Sequence, residues 1–465
     1  MKDLTQGNTF KELFKFSIPL IISGIVSQSY NMIDLIIAGK IIGNDALSAT
    51  GCTSTLIQFL SSLFWGFGVA TSAVIGKLYG AKENKRIVLV IKTTTLFIAI
   101  TMFILCLMFF LLSNNVMEIL KVDKEIIDPA NNYFKLYMIA LFFQAITYIF
   151  TCTLQSIGNS KYPMIMTLVS GLGNLILNIL FVSNLNLGIN GLAYATIISC
   201  FISLLMGLIK TIKTLYEFNG DIKFQFSFSE LKNVSYLAIP CILQQCSLYL
   251  ASVVVQPLIN NLGKSVSAGY SIAMNVNVLL NAVYHSISRA VATYASQSKG
   301  SKKYSNYKKG IYIGIVQQLI LTLPLLIICI IFKDKIFLIF MKDNDTSCLP
   351  YAIQYIDLCI PFVIFCALGN LMHSFYKSVG AVITVLITTI IFTITRITLS
   401  YTLPNTNLIS NIYLALSIAW VVEAAILMLA FYLGFWKKAG YQEKKTKRLT
   451  PSFLVYKKII NPPKS

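Results

Sequence analysis

Half of this chain is written twice. Ile18-Pro19 opens one long apolar run and Ile239-Pro240 opens another, 221 residues later. Gly43 is answered by Gly263, Gly80 by Gly300 and Gly158 by Gly380, at offsets between 220 and 222. A chain duplicated at that period folds into two lobes related by approximate symmetry, with the working surfaces where the lobes meet. The copies part at polar positions. Asp34 stands opposite Val255, and Asn174 opposite Arg396. The first half therefore carries an acid and an amide where the second carries an alkyl group and a cation.

Of the 465 residues, 56% are apolar and only 12% charged, and the charges are clustered. Between the clusters lie twelve runs of roughly 20 apolar residues, enough to cross a hydrocarbon core of ~30 Å. They fall at 14–39, 46–75, 87–112, 130–153, 163–183, 190–213, 234–260, 267–296, 310–332, 351–374, 382–404 and 412–434. Lipid offers no partner to a backbone N–H or C=O, so each run must be a helix. The expected fold is an all-α polytopic membrane protein of twelve transmembrane helices in two pseudo-symmetric six-helix bundles. The N-lobe is placed at 1–213, an inter-lobe linker at 214–233, the C-lobe at 234–436 and a basic tail at 437–465.

A net charge of +20 could suggest nucleic acid, but its placement speaks against that. Loops and adjoining run ends on the side of both termini hold 28 of the 38 Lys and Arg, and the opposite loops hold seven. Positive charge gathers on the cytoplasmic side, so both termini are expected inside a cell inner (plasma) membrane. Membrane lipids are the expected surroundings and a monomer the expected state. The ten cysteines show no C-x-x-C spacing and read as small core residues. The first apolar run is too long for a cleavable signal and contains Asp34, so it reads as the first membrane helix. No G-x-x-x-x-G-K-[ST], H-E-x-x-H or G-x-S-x-G is present, and His285 and His373 stand far apart in sequence. An enzyme and an ATP-driven pump are disfavoured, no cofactor is expected, and any transport would draw on an ion gradient.

Ionisable groups inside a bilayer cost roughly 2.5–3.5 kcal/mol on insertion scales and mark function. Asp34 falls about five residues from the outer end of the first run. Asn174 and Asn178 are four apart, on one face of the fifth, and Thr196 is about six residues into the sixth. At ~1.5 Å per residue all four lie roughly 8–14 Å below the outer surface. A carboxylate, two amide oxygens and a hydroxyl at one depth suit a hard cation, and the same carboxylate could instead carry a proton. Read singly, Asp34 could reach water, the asparagines could join helices and Thr196 could bond its own backbone. In the second half, Arg396, Glu423 and Asp357 read as a structural ion pair of Arg396 with one of the acids, or as a second site. Arg289 is expected to snorkel. Gln28, Tyr30, Tyr137, Gln144, Gln244, Gln245, Tyr249, Met274, Asn275, Asn277 and Asn281 could line a cavity for amphipathic ligands, with ordinary packing as the alternative. Pro19 lies fifteen residues before Asp34, removes a backbone hydrogen bond and gives the first helix a hinge.

The chain resembles the multidrug and toxic compound extrusion (MATE) family from about Phe10 to Trp436. The marks are the helix from Ile18-Pro19 to Asp34, Tyr79-Gly80-Ala81-Lys82, Leu154-Gln155-Ser156-Ile157-Gly158-Asn159 before Pro163-Met164, and Gly188-Ile189-Asn190-Gly191-Leu192-Ala193. The resemblance implies two six-helix bundles around a V-shaped cleft, and an inward sodium or proton gradient that drives export of cationic, amphipathic compounds. It implies Asp34, Asn174, Asn178 and Thr196 as the N-lobe cation-site positions and Pro19 as the bending proline. Some members carry an acid where this chain has Asn178, and others an acid in the seventh helix, which this chain lacks. Flippases for lipid-linked oligosaccharides share the superfamily, but tend to have cavities richer in Arg and Lys. A non-transporting membrane receptor is a further alternative.

Overall fold

A computed structural model of the protein describes residues 2–37, 41–119, 122, 126–218, 225–337, 347–403 and 408–437. Residues 219–224 of the linker and 438–465 of the basic tail lie outside the described residues. The first half contains α1 (Thr9–Ile37), α2 (Asn44–Gly80), α3 (Asn84–Leu111), α4 (Ser113–Ile119), α5 (Ile127–Ser156), α6 (Lys161–Asn178) and α7 (Gly188–Glu217). The second repeats the order as α8 (Phe228–Asn261), α9 (Lys264–Gly300), α10 (Asn306–Ile331) and α11 (Lys333–Ile336), followed by α12 (Leu349–Cys359), α13 (Val363–Val379), α14 (Val382–Thr402) and α15 (Leu408–Tyr432). No strand occurs among the described residues.

Eleven helical spans among the described residues are long and apolar enough to cross a membrane. One of them, Leu349–Val379, joins α12 to α13 through a 3-10 turn at Ile360–Phe362, where Pro361 interrupts the α pattern. The twelfth long helix is α1, whose 29 residues reach about 43 Å. Its run Ser27-Gln28-Ser29-Tyr30-Asn31 makes it the more polar member of the α1/α8 pair in its C-terminal half. The expected all-helical polytopic fold is therefore the observed one.

The repeat is visible in the backbone. Gly43 and Gly263 precede α2 and α9 with φ of 129° and 100°. Gly158 and Gly380 turn the chain after α5 and α13 with φ of 80° and 85°, a region that side-chain-bearing residues rarely enter. Lys82 and Lys302 nonetheless enter it at 58° and 59°, each two residues past the matching helix end.

Within the first half α5 packs on α2 and α7, and α1 on α6. Within the second, α9 packs on α13 and α10, and α14 on α8 and α15. The halves meet along α1 against α9 and α2 against α8 and α9. Glycines let these helices approach, which matters because lipid gives apolar faces little drive to associate. A Cβ on Gly80 would stand 2.0 Å from the Gln297 carbonyl oxygen, and one on Gly300 would stand 1.8 Å from that of Lys77. These two glycines, 220 residues apart, close the seam at the end that carries the N terminus. Gln297 fastens it: its carboxamide accepts from the Leu4 N–H at 2.9 Å and donates to the Ser156 carbonyl at 3.0 Å. Leu4 is fully buried among Leu13, Phe16 and Leu20 of α1 and Ala290, Tyr294 and Ile313 of the second half.

Candidate coupling site

Asp34 lies one turn before the end of α1, half-buried where α1 packs on α6. Asn174 and Asn178, one helical turn apart on α6, are 2% and 0% exposed. The Asn178 side-chain amide donates to the Asp34 carboxylate at 2.5 Å and to the Asn174 carboxamide oxygen at 3.0 Å. Asn174 donates to the Thr196 hydroxyl at 3.3 Å, and that hydroxyl donates to the Leu192 carbonyl at 2.9 Å within α7. The four residues singled out in sequence thus form one continuous hydrogen-bonded chain across α1, α6 and α7. The carboxamide oxygen of Asn178 is buried with no donor. A buried oxygen without a partner is costly and suits an incoming cation or water.

The backbone changes character at this point. Asn178 ends α6, and Ile179–Asn184 continues as a π-helix. One-turn π segments are rare and recur beside functional groups, because the wider turn re-aims side chains. Tyr30, Tyr133 and Tyr137 lie within electrostatic reach of Asp34, and the Tyr133 and Tyr137 rings sit 5.6 Å apart. Sequence reasoning named Tyr30 and Tyr137 but missed Tyr133, whose only local signal was its spacing of four from Tyr137. No group of three or more His, Cys, Asp or Glu able to hold a metal occurs among the described residues. The oxygen set around Asp34, rich in amides, suits a hard monovalent ion or a proton instead.

The sequence profile of the MatE family matches twice, over residues 19–180 and 240–402. The chain belongs to the MatE family. Its members are transporters rather than enzymes, and the two matches begin 221 residues apart, the offset of Pro19 and Pro240. Among similar proteins is the probable multidrug resistance protein YpnP of Bacillus subtilis, 23% identical over 94% of this chain and 97% of its own. Another is the probable multidrug resistance protein YoeA of the same organism, 24% identical over 76% and 78%. The fold is similar to that of a solved structure described as the outward-facing conformation of a multidrug resistance MATE family transporter, with a TM-score of 0.87 at 19% identity and coverage of 93% of this chain and 97% of that one.

The remaining sequence expectations for this MatE chain fare unevenly. The expected pairing of Arg396 with Glu423 or Asp357 is not what the structure contains. Arg396 of α14 donates to the Ser252 hydroxyl at 3.3 Å and the Tyr270 hydroxyl at 3.4 Å. Glu423 instead faces His373 at 3.3 Å, and Asp357 pairs with Lys333 at 2.8 Å. Depth was estimated along each helix, but the phase of each helix turns these side chains toward different neighbours. Arg289 does not snorkel to the surface: it bonds Ser286, which itself donates to the Leu20 carbonyl in the other half, at the seam. Of the cavity candidates, Gln244 is 2% exposed and accepts from Lys377 at 2.8 Å, while Gln144 donates to the Cys200 thiol at 3.4 Å. Met274 lies against the core of the second half. Gln28, Gln245, Tyr249, Asn275, Asn277 and Asn281 are half-buried. Pro19 sits inside an uninterrupted α1.

Proposed function

We propose that this MatE chain is a secondary antiporter that exports cationic amphipathic drugs or toxins from the cytoplasm in exchange for sodium ions or protons. The single observation that carries the coupling site is the chain Asp34–Asn178–Asn174–Thr196, with the Asn178 carboxamide oxygen buried and unpartnered. Asp34 supplies the charge that an ion must neutralise, and the second half has Val255 in its place. Asn174, Asn178 and Thr196 supply neutral oxygens that sodium uses and a proton does not need, so sodium is the preferred ion. Occupancy of Asp34 alters how well the outer third of α1 tolerates its surroundings. Pro19, which offers no N–H to the helix ladder, gives α1 a point at which to bend in response. The named contacts between halves run from mid-helix to the end that carries the N terminus, which supports a resting form closed inside and open outside. The bias of Lys and Arg supports cytoplasmic termini, division at the 214–233 linker and a plasma-membrane location. Relatives named as multidrug resistance proteins support the cargo class.

The test is efflux of a fluorescent organic cation from proteoliposomes, with sodium and pH gradients imposed separately. Inward sodium should drive efflux at fixed pH. Efflux that follows pH alone would make the same residues a protonation switch. Indifference to both gradients would overturn antiport.

A further inference from the structure

We propose that residues 2–6 form a strap that latches the two lobes together at the end of the seam that carries the N terminus, and that this end opens only when Leu4 leaves its socket. Such a latch serves the alternation of the lobes and so rests on the antiport reading.

A segment ahead of a first helix is ordinarily loose unless something ties it down. This one is tied to both halves within three residues. The Lys2 N–H donates to the Ile157 carbonyl at 3.1 Å, in the corner between α5 and α6. The Lys2 carbonyl lies close against the same corner: a Cβ on Gly158 would stand 2.0 Å from its oxygen. Two residues on, the Leu4 N–H donates to the Gln297 carboxamide of α9 at 2.9 Å. The Leu4 side chain is 0% exposed. It fills a socket made by Leu13, Phe16 and Leu20 of α1 and by Ala290, Tyr294 and Ile313 of α9 and α10. The chain then turns sharply. The Asp3 carboxylate accepts from the Thr5 N–H at 2.9 Å, the Thr5 hydroxyl at 2.7 Å and the Gln6 side-chain amide at 2.9 Å. Gly7 takes a φ of 79° on the way into α1. The turn sets the shape of the strap locally, as an aspartate at such a position does.

The duplication shows that the strap serves one corner only. Val379 and Gly380 are the counterparts of Ile157 and Gly158. There the Val379 carbonyl accepts from the Lys299 ammonium of α9 at 2.7 Å, within the second half. A Cβ on Gly380 would meet only the side chains of Lys299 and Leu237, at 3.3 and 3.8 Å. The second corner is thus capped from its own half, and the first by a backbone segment that is also docked in the opposite half. Gln297 couples the two attachments. Its carboxamide is 0% exposed and donates to the Ser156 carbonyl of the same corner at 3.0 Å while it accepts from Leu4. Withdrawing the strap leaves that buried oxygen without its donor, so strap and bridge hold or fail together. The start of α1 follows the second half too, since the Gln317 side-chain amide of α10 donates to the Phe10 carbonyl at 3.0 Å. Parting α9 from the α5–α6 corner breaks the bridge, and parting α9 from α1 splits the socket.

Hydrogen exchange read by mass spectrometry, on the full-length protein in neutral detergent, tests the latch without any cargo, because local opening sets the rate at each amide. Segment 2–7 should exchange more slowly than a free peptide of the same sequence. Leu4→Asp puts a charge in an apolar socket, and deletion of residues 2–6 removes the strap altogether. Each should speed exchange at the facing segments 76–82 and 296–303 about tenfold, the shift in population expected from losing the burial of one leucine. Leu4→Met keeps apolar bulk and should leave the seam closed. Exchange in α14 and α15, away from the seam, should not change. If Leu4→Asp fails to fold, the deletion decides. A strap that exchanges as freely as the peptide would overturn the latch, as would unaltered seam exchange in the folded deletion variant. Equal acceleration in α14 and α15 would overturn it too, by showing general loosening. Flux in proteoliposomes separates the two readings. Absence of gradient-driven flux with a protected strap defeats antiport and leaves the latch standing, whereas normal flux with an unprotected strap defeats the latch alone.

Discussion

The side-chain amide of Asn178 donates to the carboxylate of Asp34 at 2.5 Å, across the contact between α6 and α1. That bond fixes the amide so that its oxygen is turned away from Asp34 and left buried without a donor. An ion that binds here meets a carboxylate and an oriented amide oxygen that are already in place.

Asp34→Asn should fold and reach the membrane but lose gradient-driven efflux, falling to the leak of protein-free vesicles. Asn178→Ala should keep Asp34 and weaken ion binding about tenfold, the loss of one polar contact. Titration calorimetry with sodium would measure it. Unchanged ion affinity in Asn178→Ala would remove the amide from the site.

Pro19→Ala restores a backbone donor to the interior of α1 and should stiffen it. Cargo binding should be retained while turnover slows several-fold, as measured by anisotropy and by vesicle flux on the same preparation. Full turnover would mean that the lobes rock without bending α1.

The seam should resist added bulk. Gly80→Val must displace the Gln297 carbonyl, 2.0 Å from where its Cβ would stand, and should cost about 1–3 kcal/mol. Leu4→Ala empties a fully buried site shared by both halves and should cost about 2–5 kcal/mol. Both should lower the unfolding temperature in detergent. A variant with unaltered melting would show that this end of the seam is loosely closed.

Arg396→Met should be neutral or mildly stabilising, because Arg396 meets two hydroxyls and no acid, and an apolar side chain of similar length removes a buried cation. A marked loss of stability, repaired by neutralising Glu423, would reinstate an ion pair between them. The double-mutant cycle decides, since contacting residues couple and distant ones add.

The order and length of the membrane helices were legible in the sequence, because hydropathy is read within one segment and lipid admits only helices there. The duplication was legible too, since Pro19 and Pro240, or Gly80 and Gly300, hold their offset without reference to any contact. Asp34, Asn174, Asn178 and Thr196 could be placed at one depth from helix rise alone, and the chain of hydrogen bonds joins them. The partners of Arg396, Glu423 and Lys377 could not be read that way. Depth is a coordinate along each helix, but a contact also needs the rotation of the helix about its axis and the identity of its neighbour. Those are set when α13, α14 and α15 pack together, so only the tertiary structure turned Glu423 to His373 and Arg396 to Ser252 and Tyr270.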